Sequence, residues 1–104
     1  MEITVSEFPK EVLQSNLPVL VEFWASWCLP CQTANSLLKE IEKDYQGKIR
    51  VLKINLDKNP SISSQYTIRG VPTFAIFDKG KELERKVGAQ SKNNLCQMIQ
   101  ATLY

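Results

Sequence analysis

One hundred and four residues, 43% of them hydrophobic and 23% charged, suffice for one domain with a packed core that needs no disulfide staples. Thirteen basic and eleven acidic residues leave a net charge of +2, interleaved in sign along the chain. That excludes the clustered Lys/Arg surface by which nucleic acid or an anionic membrane is held. With no histidine, the commonest general base, the commonest metal ligand and every Cys-His nucleophile are missing.

Elements alternate between strand and helix patterns. Ile3–Val5 reads as a short strand, and Ser6 as the N-cap of a helix running to Ser15 before the break at Asn16-Leu17-Pro18. Met1 to Glu7 has neither the basic nor the apolar region of a signal peptide. Val19–Ala25 is almost wholly apolar, too short to span a bilayer, and patterned as a strand buried on both faces. The chain then enters a helix whose first turn holds Cys28 to Cys31, continued by Leu37, Leu38, Ile41 and Tyr45 and ended near Gly47.

Ile49–Leu56 is a second central strand, and Pro60 opens a short helix to Tyr66. Thr73–Phe77, the turn Asp78-Lys79-Gly80-Lys81 and Leu83–Val87 form a hairpin, and Ser91 caps a last helix with Leu95, Ile99 and Leu103 on one stripe. The order β-α-β-α-β-α-β-β-α predicts parallel first strands with right-handed crossovers, an antiparallel final hairpin, and a mixed sheet with helices on both faces.

Cys28 and Cys31 carry the chemistry. In disulfide exchange the thiolate is the nucleophile, and a helix N-terminus favours it through unpaired backbone N–H groups and the positive end of the helix dipole. Cys28 is expected to ionise below the free value of about 8.5. Cys31, three residues on, lies on the same helix side, and Pro30 fits a first turn where no N–H is missed. Cys28 is expected to attack a substrate disulfide, and Cys31 to resolve the mixed disulfide. Two inert core thiols, or half of a two-chain metal or iron–sulfur site, are the alternatives; three cysteines cannot close a zinc site within one chain.

Glu22 interrupts an otherwise apolar strand. A buried carboxyl titrates upward, and one near neutrality could exchange a proton with Cys31; the alternatives are that it snorkels to a sheet end or pairs with Lys53. Arg69-Gly70-Val71-Pro72-Thr73 places a proline just before a strand, which taken alone reads as an ordinary loop or a tight turn with backbone groups left for an extended peptide. Gly88-Ala89 either ends its strand or admits a substrate chain. Trp27 reads as a contact residue, Trp24 as core, and Cys96 as a small hydrophobe or, alternatively, a regulatory thiol.

Val21 to Cys31, Lys53-Ile54-Asn55-Leu56-Asp57, Ile68 to Thr73 and Val87-Gly88-Ala89 together resemble the thioredoxin family, over essentially the whole chain. The resemblance implies the α/β thioredoxin fold, a five-stranded mixed sheet of order 1-3-2-4-5 flanked by four helices, as a single domain over residues 1–104. It implies that Val71-Pro72 is cis and lies against the sulfurs. It also implies catalytic roles for Cys28, Cys31, Glu22 and Pro72, and a docking surface of Trp27, Leu29, Pro30, Leu56, Val71, Pro72, Gly88 and Ala89. No cofactor is implied: electrons would come from a thioredoxin reductase and pass to disulfide-containing proteins. Three positions depart from the family's usual pattern: Leu29 stands for Gly, Glu22 for Asp, and Gln32 for Lys or Arg.

The expectation is therefore a monomeric protein-disulfide reductase of the cytoplasm, or of an organelle stroma if a transit peptide has been removed, with no nucleic-acid or membrane partner. An oxidase or isomerase, and a binding module using only the apolar surface, are the competing readings.

Overall fold

The computed structural model describes residues 1–104. Its strands are β1 (Glu2–Ile3), β2 (Val19–Trp24), β3 (Arg50–Asn55), β4 (Thr73–Asp78) and β5 (Lys81–Val87). Its helices are α1 (Leu29–Asp44), α2 (Pro60–Gln65) and α3 (Lys92–Leu103), with a short π-helical segment at Pro9–Leu13. The five strands form one sheet in the order β1-β3-β2-β4-β5. β1 and β2 run parallel to β3, whereas β4 is antiparallel to both β2 and β5. This is the expected thioredoxin fold, with four helical segments.

The sheet follows from alternation. Along β2, Val19, Val21 and Phe23 point to one face and Leu20 and Glu22 to the other, and all are buried. The first set joins Leu52, Ile54, Ala75 and Phe77 in a core closed by Phe8, Val12 and Ile62. The second set's Leu20 joins Val51, Phe74 and Ile76 in a core closed by Leu38 and Ile41 of α1 and by Leu95, Met98 and Ile99 of α3. Ser91 caps α3 as expected, its Oγ accepting the Asn94 N–H at 3.0 Å. Lys79 (φ 53°) and Gly80 (φ 81°) both take positive φ, the two-residue hairpin turn that suits the twist of β4 and β5.

The N-terminal region differs from expectation. β1 ends at Ile3 rather than Val5, because the Val5 N–H is taken by Asn59 Oδ1 at 2.8 Å instead of a neighbouring strand. Ser6 is not the N-cap. The start of the helical segment is organised by Thr4, whose backbone N–H donates to Glu7 Oε1 at 2.9 Å, half of a capping box. Pro9 contributes no N–H, and the wide bond from Gln14 N–H to the Pro9 carbonyl gives a π turn where an α-helix was expected. The other element ends differ by one or two residues, the ordinary fraying of helices and strands.

Antiparallel β4 brings the site together. Because it runs against β2, its beginning lies at the end of β2, and β5, running against β4, ends at the same edge. The junction from β2 into α1, the Val71-Pro72 segment and Gly88-Ala89 therefore share one edge of the sheet. Ile41 of α1 is fully buried. Ile41→Ala is expected to lower unfolding free energy by about 2–5 kcal/mol in urea titration, through lost burial and the cavity left behind.

Candidate active site

Cys28 is the N-cap of α1, with extended backbone angles (φ −93°, ψ 109°). Its Sγ accepts the Cys31 N–H at 3.2 Å, one of the four N–H groups that a helix N-terminus leaves without a backbone partner. The two residues are joined as a disulfide with Cα atoms 5.3 Å apart, so one helical turn brings the sulfurs into bonding reach. The expectation that both lie within the first turn is thus refined: Cys28 stands just outside the helix and aims its sulfur at the turn. Cys28 is 4% exposed and Cys31 1%, whereas Trp27 and Leu29 are each 71% exposed. The sulfurs are recessed between two projecting apolar side chains.

Ala25, Cys28 and Cys31 form a small buried cluster against which Trp24 and Val71 pack. Val71-Pro72 is cis, as the resemblance implied. Pro72 is buried, and its carbonyl accepts the Gly88 N–H at 2.7 Å, tying the loop before β4 to the end of β5. The Val71 backbone N–H and carbonyl make no hydrogen bond within the chain. Gly88 takes φ +90°, and the space where a Cβ would stand is open. Leu56, expected on the docking surface, is half-buried and packs on the core of the opposite sheet face.

The loop carrying the cysteines is braced by Asp57, a residue to which the sequence alone gives no role. It lies just beyond β3 and accepts from the Ser26 N–H at 3.2 Å, the Ser26 hydroxyl at 3.0 Å and the Trp27 Nε1–H at 3.4 Å. These bonds, the Ser26 backbone bond first, hold its carboxyl below the usual carboxylate range. The available signal was its place at the C-terminal end of a central parallel strand, where polar residues face the site edge. Gln32, at a position where the family usually carries a cation, also braces this loop. Its side-chain amide donates to the Ser26 carbonyl at 3.0 Å.

Glu22 is fully buried, and neither carboxyl oxygen has a hydrogen-bond partner in the protein. Lys53 is directly opposite in register, yet its ammonium turns to Asn35 Oδ1 and sits 4.6 Å from the Trp24 ring centroid. The alternative of a Glu22–Lys53 ion pair is therefore not realised. Burial pushes the Glu22 carboxyl up to about 7, opposed by the charge of Lys53 and assisted by that of Glu2. Trp24, expected in the core, is half-buried beside the cysteines. Cys96 is a half-buried free thiol against the α1–α3 core, the hydrophobe reading. No three His, Cys, Asp or Glu side chains gather into a group that could hold a metal, and no helix is long and apolar enough to cross a membrane.

A dithiol pair at a strand–helix junction, recessed below apolar side chains, defines a thiol–disulfide exchange centre. The thioredoxin family model matches residues 1–101. The chain is 48% identical over 101 residues to a thioredoxin of Rickettsia felis, covering 97% of this chain and 96% of that protein. It is 46% identical over 102 residues to thioredoxin 1 of a Nostoc species, covering 98% and 95%. With a thioredoxin of Pyropia yezoensis the identity is 42% over 98 residues, covering 94% and 92%. The chain belongs to the thioredoxin family, and it is a thiol–disulfide oxidoreductase of the protein-disulfide reductase type.

Glu22 links this site to stability. The folded protein keeps its proton up to about pH 7, whereas the unfolded chain releases it near 4.5. Between these values the folded state binds more protons, so stability from this group is complete below 4.5 and is lost as pH rises to 7. The loss amounts to roughly 3 kcal/mol. Urea titrations of the oxidised protein at pH 4.5 and 7 should show this drop in the wild type and its absence in Glu22→Gln; equal drops would place the pH dependence elsewhere.

Proposed function

We propose that residues 1–104 act as one domain that reduces protein disulfides, with Cys28 as the attacking thiolate and Cys31 as the resolving thiol. The observation that carries this assignment is the hydrogen bond from the Cys31 N–H to Cys28 Sγ. In the reduced protein the same N–H, with the dipole of α1 behind it, favours the thiolate of Cys28 over its thiol. Cys31 lies inside the helix and more deeply buried, suited to intramolecular attack.

The reaction has two exchanges. The Cys28 thiolate attacks one sulfur of a substrate disulfide, a new S–S bond forms, and the other substrate sulfur leaves as a thiolate that takes a proton from water. Cys31 then gives up its proton and attacks Cys28 Sγ. The Cys28–Cys31 disulfide forms, the second substrate thiolate leaves, and two electrons have passed to the substrate. Glu22 is the proposed proton acceptor for Cys31. Its carboxyl, held up to about 7, is divided between acid and base at neutral pH, where proton transfer is most effective.

Trp27, Leu29, Pro30, Val71, Gly88 and Ala89 are the proposed docking surface. The free Val71 N–H and carbonyl support pairing with an extended segment flanking the substrate cysteine, and the open space at Gly88 admits its backbone. Buried Pro72, joined by a cis bond to the Val71 that packs on their cluster, is the proposed catalytic companion of the cysteines. The proposed partners are disulfide-containing proteins and a thioredoxin reductase that returns electrons to a monomeric protein with no bound cofactor, in the cytoplasm or an organelle stroma.

Insulin reduction with dithiothreitol tests the assignment. Cys28→Ser is expected to fall to the background rate. Cys31→Ser is expected to accumulate a mixed disulfide through Cys28, seen as an added mass that dithiothreitol removes; an adduct on Cys31 in Cys28→Ser, but none in Cys31→Ser, would reverse the roles. Glu22→Gln should slow exchange at pH 7 by roughly 100-fold and remove the inflection near neutrality. An unchanged pH–rate profile would exclude Glu22 from the proton path.

A further inference from the structure

Strand register places four charges in one row across the sheet. Glu2 of β1 pairs with Lys53 of β3, and Lys53 pairs with Glu22 of β2. Directly paired residues share a face, so the row reads negative, positive, negative, then Phe74 on β4 and the positive Lys86 on β5. Lys53 leans away toward Asn35 and the Trp24 ring. Glu2 reaches along the same face: its Oε2 accepts the Trp24 Nε1–H at 3.1 Å. Trp24 in turn packs against the cluster of Ala25, Cys28 and Cys31.

We propose that Glu2, on the edge strand, is a positioning residue of the dithiol site, seating the Trp24 indole against the cysteine cluster and setting the charge that the buried Glu22 faces. It acts twice through one carboxylate. The hydrogen bond fixes the tilt of a ring that touches the site, and the negative charge repels the ionised form of Glu22 while offsetting the field of Lys53. Glu2 raises the Glu22 carboxyl and Lys53 lowers it, as this arrangement requires.

Lys53 and Glu2 are the charges that move the Glu22 carboxyl, Lys53 downward and Glu2 upward. β4 presents Phe74 and Ile76, and α3 presents Leu95, Met98 and Ile99. From α1 come Leu38 and neutral Asn35, with Lys39 and Glu42 at the exposed rim of the same groove as Lys53, which Met1 also lines. Lys86 of β5 lies beyond Phe74 in the row.

The catalytic consequence rests on Glu22 being the proton acceptor, and the test separates the two ideas. Glu2→Gln keeps an oxygen for the indole N–H and removes the charge. Glu2→Val removes both and suits a strand. Carbon-detected NMR titration of the Glu22 carboxyl in the oxidised protein should show its midpoint falling by about half a pH unit in both variants, the size of one screened charge two strands away. The Trp24 indole N–H resonance should stay in place in Glu2→Gln and move in Glu2→Val. A Glu22 midpoint unchanged in Glu2→Gln, or an indole resonance unmoved in Glu2→Val, overturns the proposal. In insulin reduction, the inflection of the pH–rate profile should shift downward with the NMR midpoint. If the midpoint moves and the profile does not, Glu2's hold on Glu22 is supported and the proton-acceptor role of Glu22 is overturned.

Discussion

The site depends on one capping contact, in which a sulfur does what a serine or aspartate oxygen usually does at a helix start. Cys28 Sγ accepts the Cys31 N–H at 3.2 Å. A neutral thiol is a weak acceptor and a thiolate a strong one, so in the proposed reaction the same contact favours the reactive form of Cys28. The contact demands that β2 end abruptly, that Cys28 be extended, and that α1 begin at Leu29. The bond from Cys28 N–H to the Ala25 carbonyl makes that tight exit, and Asp57 and Gln32 hold Ser26 from two sides. Two positions later in the helix, the pair would lack the free N–H groups that distinguish its two sulfurs.

Glu22 shows the opposite arrangement. Its two oxygens have no protein partner, and the apolar strand around it opposes its charge. Satisfying it with Lys53 was within reach, since the two are paired in register, yet Lys53 is drawn to Asn35 and Trp24. A tight ion pair would have returned the carboxyl to the ordinary acidic range and removed its capacity to hold or release a proton near neutrality. The fold instead tolerates an unpaired acid at the centre of its sheet, at a stability cost that grows with pH.

Much of this is legible in the sequence because it rests on strong local signals. The buried run of β2, the helical stripe of Leu38 and Ile41, the Lys79-Gly80 turn and the Ser91 cap each have one dominant physical cause. The spacing of Cys28 and Cys31 shows through the helix that follows. The failures share another cause, a distant partner overriding a local preference. β1 is cut short by Asn59, fifty-four positions away, and Ser6 yields its capping role to a Thr4–Glu7 pair beside a proline that widens the turn. Asp57 has no local signature, because its partners are some thirty residues earlier and meet it only once β2 and β3 lie side by side. Resemblance assigns Leu56 to the docking surface; its half-buried packing gives it contact with the opposite core as well.

The distribution of exposure around the sulfurs sets what can react there. A disulfide bond is attacked along its own axis, so a substrate must present that axis to Cys28 rather than merely touch the protein. With Cys28 nearly covered and Trp27 and Leu29 standing clear of the surface, a small thiol reagent and a folded protein meet different barriers. The small reagent needs only the recess. In the proposed docking mode the protein lays an extended segment beside Val71 and Gly88, and burial of apolar area on both partners adds to the main-chain pairing. Trp27 and Leu29 are the bulky exposed neighbours of Cys28 on either side in the chain. The unpaired backbone of Val71 is indifferent to sequence. In this proposed mode, sequence-independent affinity for an extended segment comes from that backbone, and discrimination among segments from the apolar side chains around it.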